Sequence, residues 1–206
     1  MPDFLHNDPE FKELLSIVFF AKGIDISLVE KDYWIMHALY GLNKQGIEFE
    51  LKGGSSLSKG FGLINRFSED IDIHIKTNYG LAIEGKEDKP KVKEARKAFY
   101  DKLVQEIKID GIVNAERDTE FDGTDKYRSG GIRIHFTTYT PALAGIKDGI
   151  LLEVGFDTIS PNRPIDISSL VLDYVKSLKE SFEYIDNKAI AVFCYLSHQN
   201  THVEYH

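Results

Sequence analysis

Two aspartates one pleat apart, Asp70 and Asp72, follow a glycine- and serine-rich stretch in the segment GGSSLSKGFGLINRFSEDIDIHIK, residues 53–76. Side chains alternate across a β-strand, so Asp70, Asp72 and His74 share one face and Ile71, Ile73 and Ile75 the other. The apolar face can be buried while the acidic face is presented. Carboxylates spaced in this way stand roughly 6–7 Å apart at the backbone, close enough to share one or two metal ions. Mg²⁺ or Mn²⁺ would suit such a pair, because hard cations take oxygen ligands and keep positions for substrate phosphates. The turn Gly53-Gly54-Ser55-Ser56 lets backbone approach an anion closely, and N–H groups at the start of a short helix favour a phosphate. Turn and acid pair together point to phosphoryl or nucleotidyl transfer.

Each feature also has a plainer reading. Asp-Ile-Asp-Ile is equally the pattern of a half-exposed edge strand, and the turn is equally an ordinary strand-to-helix connection. Glu69 and Arg66 crowd the pair, and clustered like charges cost folding energy unless a cation binds among them. GGSSLSKG also approaches the P-loop pattern G-x-x-x-x-G-K-[ST]. Counted from Gly53, however, Ser58 stands at the second glycine and Gly60 at the metal-binding hydroxyl, which excludes an ordinary P-loop. A third carboxylate would complete a two-metal cradle. Glu153, in Ile150-Leu151-Leu152-Glu153-Val154, is the candidate: a mid-strand acid among apolar residues needs a partner if buried and is a solvent-facing residue if not. Cys194, His198, His202 and His206 recur every fourth residue, but in a terminal stretch whose ends fray, so no functional metal site is expected there.

Several elements must position these groups. Asp8-Pro9 opens a helix carrying Phe11, Leu14, Leu15, Val18 and Phe19, closed by Gly23. Ser27-Leu28-Val29-Glu30 reads as a capping box for a second helix running to about Gly46. A strand follows at Ile47–Lys52, then the glycine turn, a short helix near Leu57–Leu63, and the strand Asp70–Lys76. Residues 77–90 read as a loop. Val92, Ala95, Phe99 and Leu103 mark a third helix. Strands are expected at 112–117, 126–138 and 150–156, with turn composition suited to antiparallel connections. Pro161–Pro164 reads as a loop, Ser168 as the cap of a short helix, and Ala189–Leu196 as the last strand.

The expected fold is therefore α/β (α+β): a mixed, mostly antiparallel sheet with helices packed on it and an N-terminal helical pair. With 206 residues and 42% hydrophobic content, one domain spanning residues 1–206 is expected, its helical N-terminal part at 1–46. The net charge is −8, so a global basic footprint for nucleic acid is absent. Lys52, Lys59, Arg66 and Lys76 nevertheless surround the motif. The single cysteine excludes an intrachain disulfide. The N-terminus lacks a signal-peptide pattern and the apolar runs are too short to span a bilayer, so a cytoplasmic protein without membrane association is expected.

A glycine-serine turn leading into an Asp-x-Asp strand is similar to the DNA polymerase beta-like nucleotidyltransferase superfamily. KGGSSLSKGFGLINRFSEDIDI resembles the AbiEii/AbiGii toxin family more closely, as do VEKDYW (Val29–Trp34), LLEVGFD (Leu151–Asp157) and the stretch Pro161–Cys194. The resemblance implies a toxin-type nucleotidyltransferase of a toxin–antitoxin, phage-defence system, using Mg²⁺ or Mn²⁺. The substrate would be an NTP, some relatives using tRNA as acceptor, and a cognate antitoxin would be the protein partner. By position, Gly53, Gly54 and Ser55 would grip the triphosphate, with Ser58 in the same nucleotide-binding turn. Asp70 and Asp72 would bind the metal, Glu153 would be the third acid, and Lys59 and Arg66 would be auxiliary phosphate contacts. Family members continue past the Cys194-Tyr195 region into a helical segment with a functional lysine, so the chain is expected to be a C-terminally truncated member. The alternatives are a remnant that binds nucleotide or antitoxin without turnover, and a metal-dependent glycosyltransferase, whose fold would not require the glycine turn.

Overall fold

Ile71, Ile73 and Ile75 are all buried, and the sheet is organised around that apolar face. The structure, a computed structural model, describes residues 3–53, 59, 70–83, 89–123, 125–142, 145, 148–156, 162–178 and 183–194. Among these residues the helices are α1 (Phe11–Lys22), α2 (Ile26–Lys44), α3 (Pro90–Glu106) and α4 (Leu170–Ser177). The strands are β1 (Phe49–Lys52), β2 (Asp70–Ile75), β3 (Ile112–Asp118), β4 (Ser129–Phe136), β5 (Ile150–Gly155), β6 (Asn162–Ile167) and β7 (Ala189–Cys194).

The seven strands form one sheet in the order β3-β4-β5-β2-β1-β7-β6. β1 and β2 pair antiparallel, with Lys52 opposite Asp72 and Glu50 opposite His74. β2 then pairs parallel with β5, and β1 pairs parallel with β7. The remaining pairs are antiparallel, so the sheet is mixed and mostly antiparallel, as the turn chemistry indicates.

Ile132 and Ile134 of β4 and Ile150, Leu152 and Val154 of β5 lie on the same face as Ile71 and Ile73 and are fully buried. α3 covers part of this face. Its Phe99 and Tyr100 rings meet Phe156 at centroid distances of 5.3 and 5.6 Å. A Cβ on Gly130 would come within 2.8 Å of the Tyr100 ring, so a glycine there admits the aromatic. Further along, Trp34 of α2 stacks on Phe136 at 5.1 Å. Each large apolar side chain fully buried in this way contributes about 1.5–3 kcal/mol. α2 is buried nearly all round, because α1, α4 and the sheet all touch it. It therefore buries Glu30, Lys31, Asp32 and His37 along with its apolar residues, and such groups require partners.

Four details differ from expectation. Asp25, not Ser27, caps α2, accepting from Ser27 N at 2.9 Å. Glu30 does not close a capping box; its carboxylate accepts from Tyr139 N at 2.7 Å, Thr140 N at 3.2 Å and Thr140 Oγ1. Pro9 lies in a turn stabilised by Asp8, which accepts from Glu10 N, and α1 starts at Phe11. Ser169, one residue beyond Ser168, caps α4 by accepting from Leu172 N at 3.1 Å.

The Pro161–Pro164 loop is also revised: Asn162–Ile167 is β6, the sheet's edge strand. An edge tolerates the missing N–H of Pro164, which a central strand would not. The short helix expected at Leu57–Leu63, and His198, His202 and His206, lie outside the described residues, apart from Lys59.

Candidate active site

The polar face of β2 is flanked on both sides. Lys52 of β1 lies opposite Asp72, and Glu153 of β5 lies beside it in parallel register, while Leu151 stands beside Asp70. Neighbouring strands are about 4.8 Å apart, so Lys52, Asp72 and Glu153 form one row on one face of the sheet, with Asp70 a pleat away. Asp70 and Glu153 are half-buried. The parallel β2–β5 pairing is what brings together two acids more than eighty residues apart in sequence.

Like charges directly across a sheet repel, and Lys52 offsets that repulsion: its Nζ stands 3.2 Å from Asp72 Oδ1. The Lys52 side chain lies along the sheet toward β5, where a Cβ on Gly155 would come to 3.4 Å from Nζ. Gly53 closes the site on the other side. Its φ is +69°, and a Cβ there would lie 3.0 Å from Asp72 Oδ2. Both the left-handed backbone and the close approach favour glycine. The glycine turn thus leaves β1 directly against the Asp72 carboxylate.

One pleat further on, Glu50 binds His74 Nδ1 at 3.1 Å and Lys76 Nζ at 2.6 Å. Both Glu50 and His74 are buried, so this trio stiffens the β1–β2 pair immediately behind the acids.

Lys59 emerges on the α2 side. Its ammonium forms an ion pair with Asp32 Oδ1 and donates to Ser168 O at 3.2 Å. The other Asp32 oxygen accepts from Leu170 N at 2.7 Å. Burial pushes the Asp32 carboxyl above its usual range, and the Lys59 charge pulls it back. The structure therefore directs Lys59 to Asp32 and not to the acidic row. Gly54, Ser55, Ser58 and Arg66 lie outside the described residues.

The donor set of Asp70, Asp72 and Glu153 is all hard oxygen, the chemistry Mg²⁺ or Mn²⁺ prefers. Among the described residues, no three His, Cys, Asp or Glu side chains are placed to hold a metal ion together, and one Asp72 oxygen is engaged by Lys52. The oxygens thus suit a divalent cation in type, while their present placement pairs Asp72 with an ammonium.

In the sequence Lys52 reads only as a basic neighbour of the motif, and neither Asp32 nor Gly155 stands out by itself. Lys52 carried one usable signal, its place at the end of a strand immediately before Gly53. Asp32 carried another, as an acid between apolar helix residues next to Tyr33 and Trp34.

Among the described residues no helix is long and apolar enough to cross a membrane. The chain has no significant match among curated proteins. A family model described as the nucleotidyl transferase AbiEii toxin of a type IV toxin–antitoxin system matches residues 35–195. That span contains all seven strands, the glycine turn, Asp70, Asp72 and Glu153. The chain, matched over well more than half its length, belongs to the AbiEii nucleotidyl transferase toxin family.

Proposed function

We propose that this protein transfers a nucleotide from an NTP to an acceptor hydroxyl, with tRNA the first acceptor to test, in a metal-dependent reaction restrained by a cognate antitoxin. The one observation that carries the reading is the register of Asp72 with Glu153 beside Gly53. It sets acids and a tight backbone turn against one another, as transfer at a phosphate requires. In the reaction the acceptor oxygen bonds to the α-phosphorus, the bond from that phosphorus to the bridging oxygen breaks, and pyrophosphate leaves with the NTP's remaining charge. The acceptor's proton passes to solvent or to a carboxylate of the row.

In this reading Asp70, Asp72 and Glu153 hold Mg²⁺ or Mn²⁺, which when bound supplies charge neutralisation at the triphosphate. Gly53, Gly54, Ser55 and Ser58 present backbone and hydroxyl groups to the phosphates, with Arg66 as an auxiliary cation. Lys52 counters the carboxylate charge in the unloaded site and is close enough to Asp72 to turn to an entering phosphate. Lys59, paired with Asp32, is a second auxiliary cation at the end of the turn. The whole chain acts as one nucleotidyltransferase-like domain in the cytoplasm, in the context of phage defence.

Incubation with each labelled NTP, Mg²⁺ or Mn²⁺ and total tRNA tests the reading, beside an Asp70→Ala/Asp72→Ala variant. Transfer by the wild type, abolished in the variant, is expected. Transfer that persists in the variant overturns the assignment of the acids. Saturable NTP binding with no transfer identifies a nucleotide-binding protein without turnover.

A further inference from the structure

The VEKDYW segment of α2 supplies no metal or phosphate contact in the proposed reaction, yet it contains a buried acid paired with Lys59. We propose that Asp32 is a positioning residue for Lys59, fixing it to the first turn of α4 and so restricting the phosphate-binding segment that begins at Gly53 and ends at Lys59. The inference rests on the reading that this turn binds phosphate.

The Asp32 side chain is 3% exposed. Its two oxygens point to different elements: one to the Lys59 ammonium, the other to Leu170 N at 2.7 Å. Lys59 is tied a second time to the same place, donating to Ser168 O at 3.2 Å. Ser169 accepts from Leu172 N, and Asp32 accepts from Leu170 N, a second N–H of the same first turn. Gly53 and Lys59, the described residues that bracket this segment, are consequently each placed against a partner. A Cβ on Gly53 would lie 3.0 Å from Asp72 Oδ2, and Lys59 is tied to α2. Six residues can span at most about 20 Å, so fixing both ends restricts the conformations of everything between them.

A buried ion pair is a poor source of net stability, because desolvation consumes most of the attraction, whereas removing one partner strands a buried charge. The geometric constraint, more than the energy, is what such a pair supplies. Asp32 touches neither phosphate nor acceptor in this scheme; it acts through Lys59.

The test compares wild type, Asp32→Asn, Lys59→Met and the double variant, which leaves no buried charge and protects against a simple folding failure. Amide hydrogen exchange across residues 53–59 is read without nucleotide. KM and kcat are read in the transfer assay with each of ATP, GTP, CTP and UTP. Exchange across 53–59 is expected to rise about tenfold in Asp32→Asn, and KM for the accepted NTP to rise about tenfold, with kcat changed less. The double variant is expected to be no worse than the poorer single, since both remove one tether. Unchanged exchange across 53–59 in the folded variants overturns the inference whatever the activity. A lowered melting temperature with unchanged KM does so too, because it marks a purely structural pair. Absence of transfer by wild type sinks the nucleotidyl transfer reading and is distinguished from this inference by the exchange result.

Discussion

Lys52 stands opposite Asp72 across the β1–β2 pair, with Nζ 3.2 Å from Oδ1. Asp72 has Glu153 as its other neighbour, and the ammonium offsets part of the repulsion between them. Asp72 is 39% exposed, which limits the worth of the pair to about 0.2–1 kcal/mol. Lys52→Met is therefore expected to lower stability slightly in metal-free buffer and to enlarge the rise in melting temperature that Mg²⁺ produces. Thermal unfolding over a Mg²⁺ series reads both effects. An Mg²⁺ response equal to that of wild type would show that Lys52 and the cation do not compete for Asp72.

Gly53 has two independent reasons to be glycine. A side chain at φ +69° costs about 1–2 kcal/mol, and a Cβ would press on the Asp72 carboxylate at 3.0 Å. Gly53→Ala is expected to lower the urea midpoint by an amount in that range and to reduce label transfer more than stability alone explains, because the turn and the acid are displaced together. Denaturant unfolding beside the transfer assay separates the two effects.

The residues that were legible from sequence obey a local period. Ile71, Ile73 and Ile75 alternate with Asp70, Asp72 and His74, and the structure buries the first set. Gly23 ends α1 in the left-handed conformation, as its type suggests. What could not be read is the pairing of distant segments. Nothing in the order of residues states that β5 lies parallel to β2 with Glu153 beside Asp72, because register depends on the whole sheet. The Asp32–Lys59 pair is hidden for the same reason. Local signals also misled where a tertiary partner competed for the same atoms. Glu30 has the spacing of a capping box, yet Tyr139 and Thr140 take its carboxylate. Pro164 signalled a loop, but β6 lies at the edge, where proline is tolerated.

The Glu30 contacts yield a third prediction. The side chain is buried and accepts from two backbone N–H groups and a hydroxyl. Glu30→Ala leaves those donors unsatisfied in a place water reaches poorly, a loss of about 2–4 kcal/mol. Glu30→Gln keeps an accepting oxygen and is expected to lose less. Urea unfolding ranks the three proteins. Equal midpoints for alanine and wild type would mean that Tyr139 and Thr140 find other partners.

His37 makes stability depend on pH. It is fully buried, in contact with the rings of His6, Tyr33 and Trp34. Its Nε2 lies 2.8 Å from Asp110 O and its Nδ1 accepts from Asn187 Nδ2 at 3.2 Å. Only a neutral ring with the proton on Nε2 satisfies both contacts, since a proton on Nδ1 would face the Asn187 amide. Burial, helped by the charge of His6, pushes the imidazole down to about 4 from an ordinary 6.5. His6 is shifted down as well, chiefly by burial. A histidine with a depressed folded-state pKa binds fewer protons when folded than when unfolded. Its contribution is complete above pH 6.5 and is lost as pH falls toward 4. The difference corresponds to about 3 kcal/mol, enough to shift the unfolding midpoint markedly. Urea unfolding at pH 7 and pH 4.5 is expected to show a lower midpoint in acid, and His37→Gln, which cannot take up the proton, to show a shallower dependence. An identical slope in the variant would assign the acid sensitivity to other groups, His6 beside Asp110 first among them.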